Sequence, residues 1–138
     1  VPGTDGQKMS KSYNNIINIF LPDNKLRKQI MSIQTDSLAL EEPKDPEECN
    51  VYQIYNLLAT KDQSEVLANK YRTGNFGYGH AKQELFDLIC SKFSAEREKF
   101  IFLMNNTDII EKELIRGAVK AKVIANSVLC RVRENIGY

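Results

Sequence analysis

Two lysines with two residues between them are the feature of this sequence most suited to chemistry. Lys8 and Lys11 lie in the pentapeptide Lys8-Met9-Ser10-Lys11-Ser12. On a loop, two such ammonium groups can reach one polyphosphate, because lysine is a compact charge on a flexible stem. N–H groups in a turn add contacts to phosphate oxygens. Cations placed over a departing pyrophosphate stabilise the transition state more than the ground state, since negative charge builds there as the bond breaks.

The residues on either side of the pentapeptide predict a loop. Turn-forming residues precede and follow it, namely Gly3, Thr4, Asp5, Gly6, Asn14 and Asn15. Small and Asx residues favour turns because they tolerate positive φ or bond to their own backbone. Glycines also give a loop the freedom to open and close. We therefore predict a flexible loop that ends in a short apolar anchor at residues 16–20.

Beyond residue 20, apolar residues recur at the spacing of helices. The predicted inward positions are Leu26, Ile30, Ile33, Val51, Ile54, Tyr55, Leu58, Val66, Leu67, Tyr71, Ala81, Leu85, Leu88, Ile89, Phe100, Ile101, Met104, Ile110, Leu114, Ala118, Ala121, Ala125, Val128 and Val132. Asn50, and Asp62 with Glu65, are candidate helix caps, and Ser94 marks a break. No stretch shows the alternation of apolar and polar residues that is typical of a strand. The predicted fold class is therefore all-α, a bundle of five to six helices behind the loop.

Residues 36–48 interrupt this helical pattern. Pro43 and Pro46 lie here, and five of the eight residues from 41 to 48 are acidic. Proline and charge of this density are typical of a connection between helices. We predict that the segment is exposed.

Composition excludes several classes of protein. The chain has 138 residues with 42% hydrophobic and 27% charged residues and a net charge of +1, which argues against disorder, a basic nucleic-acid coat and an acidic tail. No apolar run approaches the roughly 20 residues of a membrane span, and no secretory signal is present. Three cysteines without a CxxC pattern argue against a disulfide framework or a zinc site and favour the cytoplasm. Cys90 and Cys130 lie among apolar residues, which predicts buried thiols.

The pentapeptide is the KMSKS motif of the class I aminoacyl-tRNA synthetases. With its flanks, residues 3–15 (GTDGQKMSKSYNN) resemble the form found in bacterial tryptophanyl-tRNA synthetases. Three further segments resemble that family in the same order, at residues 31–36 (MSIQTD), 71–82 and 114–125. The resemblance covers nearly the whole chain and points to the tryptophanyl type, with the tyrosyl type as the nearest alternative. We call residues 3–15 the KMSKS loop.

The resemblance implies a reaction in two steps. Tryptophan and ATP, with magnesium, form tryptophanyl-adenylate and pyrophosphate, and the aminoacyl group then passes to the terminal ribose of the tRNA. It implies that Lys8 and Lys11 are the catalytic residues and contact the phosphates of ATP. Met9 and the neighbouring backbone would lie along the nucleotide, while Ser10 and Ser12 would hold the loop or reach a phosphate. It identifies no tRNA-contacting residue and no metal ligand.

The resemblance also implies how the chain is organised. Residues 1–20 would be a remnant of the catalytic domain, and residues 21–138 the helical carboxy-terminal domain that binds tryptophan-specific tRNA. The HIGH motif, the Rossmann-type domain and the amino-acid pocket of the family are missing from this sequence, which begins with Val1. We therefore expect a carboxy-terminal fragment of a cytoplasmic homodimeric enzyme. Alone, it should be monomeric, inactive in adenylation and free of tightly bound cofactors.

Two alternatives remain open at this point. The chain could be a stand-alone helical tRNA-binding module, or the same fragment of a tyrosyl-tRNA synthetase. Basic residues on the last helix, such as Lys120 and Arg131, fit either a phosphate-contacting face or a solvated one. His80 follows a glycine-containing loop and is expected at the surface or at a helix start.

Overall fold

The computed structural model describes residues 1–137. These residues form six α-helices and no β-strand, which confirms the predicted all-α class. The helices are α1 (Asp23–Met31), α2 (Asn50–Leu58), α3 (Lys61–Thr73), α4 (Tyr78–Lys92), α5 (Ser94–Asn105) and α6 (Thr107–Asn135). The break predicted at Ser94 is confirmed, since α5 begins at that residue. No helix in this part of the chain is both long and apolar enough to cross a membrane.

The chain divides into two compact units. The amino-terminal unit comprises Val1–Arg97, and the carboxy-terminal unit begins at Glu98, within α5. Residue 20, where the sequence suggested a change of domain, lies inside the first unit. The assignment of residues 1–20 to a catalytic domain and residues 21–138 to a tRNA-binding domain therefore remains a prediction.

The first four helices enclose the core of the amino-terminal unit. Helix α4 packs against α1 and α2, and α2 packs against α3. Most of the predicted inward positions in this unit are buried, namely Leu26, Ile30, Ile33, Val51, Ile54, Tyr55, Leu67, Tyr71, Ala81, Leu85 and Ile89. Val66 is an exception and is exposed. The buried face of α3 runs through Leu67 and Tyr71, four residues apart, and Val66 lies about 100° around the helix from Leu67.

Two predicted caps are wrong. Helix α3 is capped by Thr60 and Gln63, whose side chains each bond to the other's backbone, at 3.3 and 2.9 Å. This pair has the three-residue spacing of a capping box but lies two residues before Asp62. The Asn50 side chain donates to the carbonyl of Gln34 at 3.0 Å and does not cap α2.

The connection at residues 36–48 is exposed, as predicted, except at Lys44 and Pro46. Lys44 is buried, and its ammonium group donates to the carbonyl oxygens of Ala39, Leu40 and Glu42 at 2.7, 3.3 and 2.9 Å. Pro46 is buried as well. A buried lysine is tolerated only when its charge is solvated by acceptors, and here the connection's own backbone supplies them.

The carboxy-terminal unit has no buried residue among residues 98–137. The predicted inward positions Leu114 and Val128 are exposed, and so is Cys130, which the sequence predicted to be buried. The aromatic residues Phe100 and Phe102 are also exposed. Residues 98–137 contain α6 and the part of α5 from Glu98 onward. Two helices alone do not enclose a core as the four helices of the first unit do.

Candidate functional site

The KMSKS loop starts as a closed turn. Pro2 and Lys8 pair as an isolated antiparallel β-bridge. Inside this pair, the N–H of Gly3 donates to the carbonyl of Gln7 at 2.7 Å. These bonds hold the two sides of the turn together, so the glycine-rich segment has a defined path leading into the motif.

The motif itself continues into a short 3₁₀-helix, Lys11–Tyr13. Ser10 precedes this helix, and its hydroxyl oxygen accepts from the N–H of Ser12 at 3.2 Å. Asn14 ends the helix with a φ of 52° and donates its N–H to the carbonyl of Lys11 at 3.2 Å. The turn expected from Asx and serine residues is therefore present, and Lys11 lies at its first position.

Asn15 is the centre of the loop's hydrogen bonds, which sequence reasoning missed. Its side chain is only 2% exposed. The amide oxygen accepts from the N–H of Ser10 at 2.7 Å. The amide nitrogen donates to Asp5 Oδ1 at 2.8 Å and to the carbonyl of Lys8 at 3.2 Å. An asparagine that closes a polar stretch before an apolar one was the only available signal, and we interpreted it as a turn former alone.

Asp5 also contributes to this network. The hydrogen bond from Asn15 holds the pKa of the Asp5 carboxyl below its ordinary value of 3.8. Partial burial acts against this shift, and the N–H of Gln7, which donates to Asp5 at 3.0 Å, adds to it. Hydrogen bonds to the charged form favour ionisation, so Asp5 is an acceptor at neutral pH.

Lys8 and Lys11 are both exposed. Among residues 1–137, no carboxylate forms an ion pair with either ammonium group. Their positive charges are therefore free to meet an anionic ligand. The side-chain amide of Asn15 bonds to the backbone of Lys8 and of Ser10, within the stretch that joins the two lysines. The role of the lysines in ATP binding remains a prediction.

Met9 is less exposed than the two lysines. It is half-buried and lines an apolar cavity of about 390 Å³ together with residues that include Ile17, Ile19, Ile54 and Phe93. The cavity at Met9 is thus bordered in part by apolar residues of α2, such as Ile54. A role for Met9 along a nucleotide remains a prediction.

A chain of hydrogen bonds connects the loop to the start of α2. Thr4 donates its N–H to the carbonyl of Asn15 at 2.9 Å and accepts from the N–H of Gln34 at 2.7 Å. Gln34 in turn accepts from the side chain of Asn50 at 3.0 Å. The loop is thus fixed to the helical core at its base, while its lysines remain at the surface.

Other residues singled out in the sequence do not join this site. His80 is exposed near the start of α4 and lies against Phe76, with ring centroids 6.0 Å apart. Cys49 is buried, and its sulfur lies 3.3 Å from the hydroxyl of Tyr71. Among residues 1–137, no three His, Cys, Asp or Glu side chains are grouped as a metal site would need.

Comparison with known proteins defines the class first. A family model described as "tRNA synthetases class I (W and Y)" matches residues 1–94, which include the whole KMSKS loop. The chain belongs to this family. The resemblance carried by the motif and its flanks is therefore confirmed.

The particular relatives are tryptophan–tRNA ligases. The chain is 49% identical to that of Fusobacterium nucleatum over 137 residues, covering 99% of this chain and 42% of the relative. It is 45% identical to that of Rhodopirellula baltica, covering 99% and 43%. A crystal structure of the tryptophanyl-tRNA synthetase from Campylobacter jejuni, complexed with ADP and tryptophan, matches with a TM-score of 0.95 at 43% identity. That match covers all of this chain and 43% of the other. The chain thus spans about two-fifths of the length of these relatives.

Proposed function

We propose that this chain is the carboxy-terminal part of a tryptophan–tRNA ligase and carries the loop that stabilises the pyrophosphate leaving group. The observation that carries the proposal is the pair Lys8 and Lys11, exposed and without carboxylate partners among residues 1–137, on a loop fixed by hydrogen bonds. The proposal is also supported by the relatives that match nearly the whole chain, because these relatives are named tryptophan–tRNA ligases.

In the proposed first step, a carboxylate oxygen of tryptophan attacks the α-phosphorus of ATP. The bond from that phosphorus to the bridging oxygen breaks, and pyrophosphate leaves with the electron pair. ATP enters with magnesium as a substrate complex. Lys8 and Lys11 contact the phosphates that become pyrophosphate, where their charge matters most as the bond lengthens. In the second step a ribose hydroxyl of the tRNA attacks the activated carbonyl carbon, and AMP leaves.

Within this proposal Ser10 holds the loop. Its hydroxyl oxygen already accepts from the N–H of Ser12, so it stabilises the turn that presents Lys11. Ser12 contributes its backbone to that turn and is exposed, which leaves its hydroxyl available for a phosphate oxygen. Met9, which lines the apolar cavity, completes the predicted nucleotide-binding set.

The remaining parts of the proposal concern the whole enzyme. We propose that the helices after residue 20 help to bind the tRNA and that the complete enzyme is a cytoplasmic homodimer. The tryptophan pocket and the other ATP-binding motif would lie in the roughly three-fifths of the relatives that this chain does not match. This chain alone should therefore not catalyse adenylation.

The test is amino-acid-dependent exchange of pyrophosphate into ATP by the full-length protein, with each of the twenty amino acids in turn. Exchange should occur with tryptophan only. Lys8→Ala or Lys11→Ala should lower its rate by about a hundredfold, the usual cost of one transition-state contact. Lys25→Ala is the matched control, because Lys25 is an exposed lysine of α1 outside the loop, and it should keep the parental rate.

Other outcomes separate the alternatives. Exchange with tyrosine alone would retain the mechanism and change the substrate. Exchange with no amino acid would favour a stand-alone tRNA-binding module, whose affinity should fall steeply with salt concentration. Unchanged rates in both lysine variants would refute the role assigned to the loop.

A further inference from the structure

We propose that Asn15 is a positioning residue for this reaction, and that Asp5 supports it. The side-chain amide of Asn15 fixes the backbone between the two lysines, so that both ammonium groups meet the same polyphosphate. The inference rests on the function proposed above. Because only 2% of Asn15 is exposed, it acts through the loop and not by contact with the nucleotide.

Asn15 binds two backbone groups that set the path of the chain between the two lysines. The carbonyl of Lys8 and the N–H of Ser10 lie on either side of Met9, and both bond to one amide, at 3.2 and 2.7 Å. Fixing these groups fixes the chain between Lys8 and Lys11. An amide can both donate to a carbonyl and accept from an N–H, whereas an ionised carboxylate only accepts.

Asp5 determines which way the amide faces. Its carboxylate accepts from the Asn15 amide nitrogen at 2.8 Å, and an ionised carboxylate can accept only. The nitrogen of Asn15 must therefore face Asp5, which leaves the amide oxygen facing the N–H of Ser10. Both amide hydrogens are used, one on Asp5 and one on the carbonyl of Lys8.

Gly3 leaves room for this arrangement. A Cβ atom at Gly3 would lie 2.5 Å from Cγ of Asn15, which is shorter than a non-bonded contact between two carbon atoms. Gly3 and Asp5 are thus both adapted to Asn15, within a loop whose lysines are exposed. A buried amide whose donors and acceptor are all hydrogen-bonded indicates that the backbone of the KMSKS loop is held in one conformation.

This geometry has a consequence for the reaction. Two cations held in place act together on the leaving pyrophosphate, and no ordering of the loop is needed when the bond breaks. Without Asn15 the two lysines would act more independently. The contribution of either lysine to the reaction rate should then become smaller, because the two residues act together only while the backbone between them is fixed.

The experiment is a double-mutant cycle in the full-length protein, measured by tryptophan-dependent exchange of pyrophosphate into ATP. Asn15→Ala should lower kcat by about tenfold or more, since it removes three hydrogen bonds of a buried side chain. The KM for tryptophan should change by no more than about twofold. Lys11→Ala should lower kcat by about a hundredfold in the parent and by much less in Asn15→Ala.

The cycle separates positioning from loss of folded protein. A merely structural defect reduces the amount of active enzyme and leaves the hundredfold effect of Lys11→Ala unchanged in both backgrounds. Asn69→Ala is the matched control, because Asn69 is an exposed asparagine on α3, and it should keep both the parental kcat and the full Lys11 effect. Should Asn15→Ala fail to fold, Asp5→Ala replaces it in the cycle, with the same non-additivity expected.

The outcomes also separate this inference from the proposed function. A parental kcat in Asn15→Ala, or an undiminished Lys11 effect in the Asn15 or Asp5 background, would overturn the inference and leave the function intact. Absence of tryptophan-dependent exchange in the parental protein would overturn both. A reduced Lys11 effect in the variant background, with normal behaviour of Asn69→Ala, would establish the positioning role.

Discussion

Leu67 in the amino-terminal unit and Leu114 in the carboxy-terminal unit both lie on predicted apolar faces of helices, yet they differ completely in burial. Leu67 is 0% exposed, whereas Leu114 is 64% exposed. Around Leu67, helix α3 packs against α2, which in turn packs against α4. The carboxy-terminal unit consists of the end of α5 and the long α6, and none of its residues up to 137 is buried.

The comparison shows what periodicity does and does not predict. A repeat of three and four residues places apolar side chains on one face of a helix. Burial of that face depends on a second surface, because helices in water derive most of their stability from tertiary packing. The pattern therefore predicts helices with an apolar face in both units, whereas the structure buries such faces only in the first. The following predictions test this difference in the 138-residue chain.

The largest expected difference comes from removing a leucine side chain in each unit. Leu67→Ala should lower the free energy of unfolding by about 2–5 kcal/mol, because it leaves a cavity in a packed core. Leu114→Ala should change it by no more than about 0.5 kcal/mol, as at other exposed positions. Urea denaturation followed by circular dichroism measures both. Similar losses in the two variants would show that the apolar face of α6 is buried in solution.

Substitution of two glycines by alanine should change the stability of the chain in opposite directions. Gly74 has a φ of +73°, and a Cβ atom there would lie 2.4 Å from the carbonyl oxygen of Glu41. Gly74→Ala should therefore destabilise the chain by about 1–2 kcal/mol or more, from the left-handed backbone and the overlap. Gly117 lies within α6 with no atom near its Cβ position.

Gly117→Ala is the counterpart and should stabilise α6 by about 0.5–1 kcal/mol, because glycine is a poor helix former. Thermal and urea denaturation of both variants, followed at a helical wavelength, give the two changes directly. Destabilisation by Gly117→Ala would mean that another helix approaches this position closely.

The smallest expected effect is the acid response of the KMSKS loop. The pKa of Asp5 lies below 3.8 because Asn15 donates to its carboxylate. Stabilisation by a depressed carboxyl pKa is complete above the unfolded value and is lost as pH falls through the folded value. The contact between Asp5 and Asn15 should thus be unchanged from neutral pH to about 5 and should weaken only below about 4.

NMR titration of the Asn15 side-chain amide measures this response. In Asn15→Ala the Asp5 carboxyl should titrate nearer its ordinary value, which gives the matched control. If Asp5 titrates at the same pH in the parental chain and in Asn15→Ala, the hydrogen bond from Asn15 is not the cause of the lowered pKa. The ion pairs of α6, by contrast, lie between exposed side chains.

Local sequence patterns predicted some helix boundaries and missed others. Ser94 was identified as a break because a serine interrupts an apolar repeat, and α5 does begin there. Thr60 and Gln63 were missed as the cap of α3, since Asp62 and Glu65 have the same spacing two residues later. A capping box is recognised by that spacing, and only the backbone conformation decides between overlapping candidates.

Buried polar residues were beyond the reach of the sequence. Lys44 lies in a stretch of prolines and acidic residues that predicts exposure, yet its charge is buried against three carbonyl oxygens. Asn15 belongs to a polar stretch typical of turns, yet it is almost fully buried. The partners of Lys44 and two of the three partners of Asn15 are backbone groups, which have no residue type and therefore leave no trace in the sequence. The third partner of Asn15 is the carboxylate of Asp5, ten residues away.

By itself the sequence determined the all-α class, the helical faces of the amino-terminal unit and the identity of the KMSKS motif, because periodicity and motif spacing are local properties. The tertiary structure decided which apolar faces are buried, why Cys130 and Leu114 are exposed, and how Asn15 holds the backbone between Lys8 and Lys11. Burial and hydrogen bonding depend on groups brought together by folding, and a one-dimensional pattern does not contain those distances.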